Sequence, residues 1–220
     1  MITAIKNILL LSAVAISTVV SGQDNDPKAK KVLDELSKKT QAFSTITASF
    51  TSTLENKQAG MEVTQEGTIK LKGTKFNLVL DDYLILSDGY ATWTVAAADN
   101  EVYIDDASAL TGGDINPTEL FTLWEKGFKY NHKGEVNVGG TTCHHINLYP
   151  LKPQEKNYHT IRLYIDKAGM EIKKVVVMGK SGDIYTYVVK SFTPNNGMDE
   201  KLFVFDKSKY PGISVIDNRL

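Results

Sequence analysis

The sequence predicts a mainly β fold of the α+β class: a curled antiparallel sheet of about ten or eleven strands, with helical insertions. Three observations predict it. Apolar and polar residues alternate strictly over several stretches, as they do on strands buried on one face only. Turn residues recur at roughly the 8–12-residue spacing of all-β proteins. Within Gly67–Val95, Asp88-Gly89 separates two apolar runs, which is the signature of a two-residue type I′ hairpin. A sheet this long is expected to curl rather than stay flat.

The 220 residues carry a formal net charge of −1, without a strongly basic segment, so nucleic-acid binding is not expected. A hydrophobic fraction of 42% is enough to fill a core, and the single cysteine, Cys143, excludes an internal disulfide framework. Residues 1–22 read as a secretory signal peptide. Lys6 supplies its positive end, Ile8–Val20 its short apolar run, and Val20-Ser21-Gly22 a cleavage site before Gln23. Residues 23–220 are then one exported domain in the periplasm.

Asp26-Pro27 opens a helix that runs to about Thr40 or Phe43, with Asp as N-cap and Pro at the first position. Ala29, Val32, Leu33, Leu36 and Phe43 form its apolar stripe; Asp34–Lys38 and Glu35–Lys39 are expected ion pairs on its wet side. Residues 45–54 alternate: Ile46, Ala48, Phe50, Ser52 and Leu54 point one way, and a threonine-rich set the other. Met61 to Leu71 alternates again, through Val63, Gln65, Gly67 and Ile69. Phe76, Leu78 and Leu80 share a face of the next strand, and Trp93 and Val95 of a later one, followed by a strand at Glu101–Ile104.

Asn116-Pro117-Thr118-Glu119 opens a second helix, with a cap, Pro at N1 and Glu at N3. Leu120, Phe121, Leu123 and Trp124 make it apolar. It hangs on the Thr111–Asp114 glycine loop and is a candidate lid. Strands resume at Phe128–Tyr130, Glu135–Val138, Thr142–Tyr149, Tyr158–Ile165, Glu171–Met178, Asp183–Phe192 and Leu202–Phe205, with turns that include Lys133-Gly134 and Ser181-Gly182-Asp183.

Catalytic chemistry finds little support. Gly179-Lys180-Ser181 resembles the end of a phosphate-binding loop, but Lys174 stands where that pattern needs glycine. Of Cys143-His144-His145, only Cys143 and His145 share a strand face, too few for zinc, and no acid orients a Cys–His nucleophile. Asp81-Asp82 and Asp105-Asp106 read as strand-end and turn residues. Tyr158, Tyr164, Tyr185 and Tyr187 suit any half-buried sheet; a ligand-facing aromatic wall is the other reading. No enzymatic activity, cofactor or metal is expected.

The order and spacing of several short motifs resemble the LolA-type outer-membrane lipoprotein carriers. They are the amphipathic first helix, Ala48-x-Phe50, Gly67-x-Ile69-x-Leu71, Ser87-Asp88-Gly89-x-x-x-Trp93, Asn116-Pro117, Phe203-x-Phe205 and Pro211-Gly212-Ile213-x-Val215-Ile216-Asp217. The resemblance spans nearly all of residues 23–220. It implies an unclosed half β-barrel capped by helices, which shields lipoprotein acyl chains and delivers them to the outer membrane.

On that reading Ile46, Phe50, Leu54, Ile69, Leu71, Phe76, Leu78, Leu80, Trp93 and Val95 line a cavity, under a lid of Leu120, Phe121, Leu123 and Trp124. Strand parity leaves open which apolar face is cavity and which is packing. If Phe50 lines open space, Phe50→Glu abolishes binding and leaves the fold intact. The partners implied are lipidated proteins or other lipids, an inner-membrane release machinery and an outer-membrane acceptor, met by a diffusing monomer. The alternative is a carrier of another lipid or lipophilic compound. The chain departs from the family at its lid latch: where well-known members carry an arginine, this one has Gly73 flanked by Lys72 and Lys75.

Overall fold

A computed structural model describes residues 25–81, 83–108 and 123–219. The expected signal peptide, Asn116-Pro117, Leu120 and Phe121 lie outside them. Twelve strands form a single sheet, in the order β12-β6-β5-β4-β3-β2-β1-β11-β10-β9-β8-β7. The first meander comprises β1 (Ile46–Asn56), β2 (Met61–Lys72), β3 (Lys75–Leu80), β4 (Tyr83–Ser87), β5 (Ala91–Ala96) and β6 (Glu101–Asp106). The second comprises β7 (Phe128–Val138), β8 (Thr141–Pro150), β9 (Tyr158–Asp166), β10 (Ile172–Gly179) and β11 (Asp183–Pro194). Pairing of β1 with β11 joins them, and β12 (Ser214–Asp217) adds parallel to β6. Strands β7 and β12 remain edges, so the sheet is an open half-barrel rather than a closed one.

Helix α1 (Pro27–Gln41) begins as its cap requires: the Asp26 carboxylate accepts from the Lys28 and Ala29 amides, at 2.8 and 3.2 Å. Its stripe of Ala29, Val32, Leu33 and Leu36 lies on Ile146, Leu148, Ile161, Leu163, Ile165, Val175 and Val177 of β8, β9 and β10. This defines the inner face. The expected Glu35–Lys39 pair gives way to a tertiary one, since Lys39 donates to Glu171 Oε1 (3.0 Å) and to the Gly169 carbonyl (2.5 Å). Asp34 takes Lys30, at 2.6 Å.

The outer face of the first meander has its own cover. After β11 the chain crosses that face as a strap. Asn196 donates to Thr47 Oγ1 (2.9 Å), the Leu202 carbonyl accepts from Asn77 (2.7 Å), and Phe203 is fully buried. Phe205, Tyr210 and Ile213 then pack with Leu84, Trp93, Val95 and Val102. Residues Glu200–Phe203 form a 3₁₀ turn, so the strand expected at Leu202–Phe205 is absent there: these aromatic residues anchor a strap instead of pairing in a ladder.

Two turns differ from expectation. Lys133-Gly134 is a bulge inside a continuous β7, with Gly134 at φ +117°. Between β4 and β5 only Gly89 has positive φ; Asp88 bonds the Tyr90 and Ala91 amides, giving an Asx-type turn rather than type I′.

Candidate functional site

Cross-strand register decides which side chains share the inner face, because directly opposed residues point the same way. Ile46, Leu71 and Phe76 are mutually opposed, as are Ala48, Ile69, Leu78 and Ile85, and as are Phe50, Gly67, Leu80 and Tyr83. Leu54 opposes Val63 on one side and Tyr185 on the other. Eight of the ten predicted lining residues therefore share one face, and it is the face that α1 covers in the second meander.

Trp93 and Val95 do not. Trp93 opposes Leu86, which opposes Asn77 on the outer face. Both residues pack beneath the strap with Phe205, Tyr210 and Ile213. The apolar parity switches sides between β3 and β5: Thr92, Thr94 and Ala96 face inward there. Alternation within one strand cannot reveal such a switch, which needs the strap as a second cover.

The shared inner face is itself divided. Ile46, Leu71 and Phe76 are buried, with Phe43, Ile69, Leu78, Ile85 and Phe192 packed on them. Phe50 is also buried: its ring covers Gly67 and meets Tyr187 edge-on at 6.0 Å. These are core. Towards the β1–β2 hairpin the cover ends among the described residues. Met61, Val63 and Tyr83 stand 39%, 46% and 48% exposed, beside half-buried Leu54 and Leu80.

Across β11 the same face carries Tyr185 and Tyr187, which with Tyr158 and Val177 form the apolar wall of a cavity of about 810 Å3. The β8–β9 loop (Gln154, Lys156, Asn157) and the β10–β11 turn (Gly179, Lys180, Ser181) make its rim. Single-strand parity left this wall undecided, because the tyrosines suited an ordinary sheet as well as a ligand-facing surface. Tyr164 belongs elsewhere, stacked on outer-face His145 at 4.8 Å.

Of the expected lid, Leu123 and Trp124 are described. They begin the short 3₁₀ turn Leu123–Glu125, where Trp124 is 3% exposed and donates from Nε1 to Ser37 Oγ of α1, at 3.0 Å. Trp124 is therefore an anchor against α1. Lys72 and Lys75, beside the missing arginine, point outward. They grip Glu200 of the strap at 2.6 and 2.7 Å and hold its carboxyl down at about 2.

At the other end of α1, His132 Nε2 and His144 Nδ1 lie 3.1 Å apart on the inner face. Burial pushes both imidazoles below their ordinary pKa. Cys143 and His145 sit on the outer face, and burial pushes the Cys143 thiol up. Among the described residues no three His, Cys, Asp or Glu side chains gather as a metal site. The arrangement offers apolar surface, aromatic edges and a polar rim, which suit an amphiphile.

A family model, that of outer membrane lipoprotein carrier protein LolA, matches residues 41–206. No curated protein sequence matches the chain. Among solved structures, an uncharacterized conserved protein from Thermus thermophilus superposes with a TM-score of 0.58 at 12% identity, covering 87% of this chain and 99% of its own. A LolA superfamily protein from Nitrosomonas europaea gives 0.45 at 10% identity, over 80% and 97%. Lipoprotein LppX from Mycobacterium tuberculosis gives 0.49 at 11%, over 79% and 99%.

Proposed function

The chain belongs to the LolA family of outer membrane lipoprotein carrier proteins, and from that membership we propose that it is a periplasmic carrier, not an enzyme, that shields the acyl chains of lipoproteins. The observation that carries the reading is the inner face left uncovered among the described residues: Leu54, Val63, Leu80 and Tyr83 continue the buried apolar surface out to the rim, beside the tyrosine-walled cavity. Each exposed methylene costs about 0.8 kcal/mol in water, so a diffusing carrier has to provide such a surface. Release then requires only that the lipid find a better apolar phase.

The absence of the family arginine favours a second reading, a carrier of another lipid on the same scaffold. Lys72 and Lys75 hold the outer strap and leave no cationic latch in that position. Mass spectrometry of what co-purifies with the protein from its own host separates the two. A polypeptide with a lipidated N-terminal cysteine supports the lipoprotein carrier. Free lipid without polypeptide supports the second reading. An empty protein that also takes up no lipid counts against both.

A further inference from the structure

We propose that the tyrosine-walled cavity at the β9–β11 end selects acyl lipids with a negatively charged head group, the chain lying on the tyrosines and the head group at the lysine rim. This rests on the lipid-binding reading above and adds the class of ligand.

The cavity is two-sided in chemistry. Its floor is Tyr158, Val177, Tyr185 and Tyr187; its rim carries Lys156 and Lys180. Tyr158 is held by a parallel stack on Phe128, with centroids 6.4 Å apart, so part of the floor is braced. A volume of about 810 Å3 lies within the range of roughly 300–1,000 Å3 in which small-molecule sites fall.

The rim is built rather than loose. The Lys180 amide donates to the Asn157 carbonyl at 2.9 Å, and Lys180 Nζ to the Pro153 carbonyl at 2.5 Å. Loop and turn are thus tied together, Lys180 is held by its carbonyl partner, and Lys156 lines the same mouth. A carbonyl orients an ammonium without cancelling its charge, and neither lysine makes an ion pair among the described residues.

The sole acid among the described lining residues, Asp183, is turned to other partners. It accepts from Asn56 at 2.6 Å and from the Ser181 hydroxyl. Two lysines against one engaged carboxylate leave the mouth net positive. Gly179-Lys180-Ser181, which has no use as a nucleotide loop, becomes half of this rim. Lysine suits the task, because a flexible point charge accepts a carboxylate or a phosphate without demanding a planar partner.

The test is direct binding of three tritiated ligands with the same sixteen-carbon chain: palmitate, hexadecanol and palmitoyl lysophosphatidate. The expected result is that at least one anion binds roughly fivefold to tenfold more tightly than hexadecanol, the scale of two partly exposed charge pairs. The paired substitution of half-buried Lys156→Gln with exposed Lys180→Gln removes that preference, so that the anions bind no more tightly than hexadecanol. Preference for palmitate marks a carboxylate head, and for lysophosphatidate a phosphate. Equal binding of all three overturns the inference while lipid binding stands, as does a preference that survives in the paired variant. Binding of none overturns the lipid-binding reading as well.

Discussion

The Phe50 ring lies across Gly67, so that a methyl group added to the glycine would stand 2.4 Å from Phe50 Cζ and 3.0 Å from Leu80 Cδ2. Gly67 has no positive φ to explain it; its role is to let an aromatic ring from β1 cross β2 and reach the core. Gly67→Ala is therefore expected to destabilise the protein by about 1–3 kcal/mol, as overpacking does. Phe50→Leu in the same chain should recover part of the loss. Urea denaturation of the two single variants and the double variant measures this as a non-additive cycle.

Binding and stability should separate along β1. Leu54→Glu puts a charge at the half-buried end of the inner face, next to exposed Val63, and is expected to abolish lipid binding in a folded protein. Phe50→Glu buries a charge between Tyr187, Gly67 and Leu80, and is expected to unfold it. Circular dichroism beside a lipid-binding assay reads both. A folded Phe50→Glu protein would move Phe50 from core to open cavity.

The strap over the outer face has its own anchor. Phe203→Ala should cost about 3–5 kcal/mol, since the ring is fully buried. Proteolysis should then cut first between residues 195 and 213. Under conditions where this variant stays folded, lipid affinity should be unchanged, because the strap and the cavity lie on opposite faces.

Glu200 makes the strap acid-sensitive. Its folded-state carboxyl titrates at about 2, against an ordinary value of 4.5, because Lys72 and Lys75 bond the charged form. A depressed carboxyl contributes stability above its unfolded value and loses it as the pH falls from 4.5 through about 2. Glu200→Gln should lower the melting temperature slightly at neutral pH and flatten its decline across that window. Added salt should reduce the difference, since Glu200 is more than half exposed.

The His132–His144 pair should act on α1 at a higher pH. Both imidazoles have a depressed pKa, so the neutral pair is favoured in the fold, and its contribution is lost as the pH falls below the ordinary histidine value. Around them stand Asp26, Lys28 and Glu35 of the α1 segment, Glu135 of β7 and Lys167 of the β9–β10 turn. The Asp26 carboxylate, which caps α1, also accepts from the His132 amide at 2.9 Å. Protection of the first-turn amides of α1 against hydrogen exchange, relative to the intrinsic rate at each pH, should therefore fall as the pH drops below 6.5, and His144→Gln should remove that fall.

Much of the fold was legible in local pattern. Asp26-Pro27 marked the start of α1, and the alternation of Ile46–Leu54 and Met61–Leu71 identified the inner face of β1 and β2 with the correct parity. Those signals are local, since a cap and a strand period are satisfied within a few residues. The family resemblance was legible too, through the order of weak motifs. Lys39 shows where local pattern fails: its i,i+4 partner was available, yet Glu171, 132 residues away, takes it.

What the sequence determined by itself is the set of apolar strand faces, the helix that covers one of them, and the family. Only the tertiary structure decided which faces are core and which are open. Trp93 and Val95 alternate as well as Ile69 and Leu71 do, but the strap covers them on the outer face. Leu54 and Leu71 share one parity on neighbouring strands, but Leu71 lies in the packed core and Leu54 at the uncovered rim. Side-chain parity is a property of a single strand, whereas burial depends on a second element supplied from far along the chain. For the same reason Tyr185 and Tyr187 became a cavity wall only when the β8–β9 loop and the β10–β11 turn were brought to their edge.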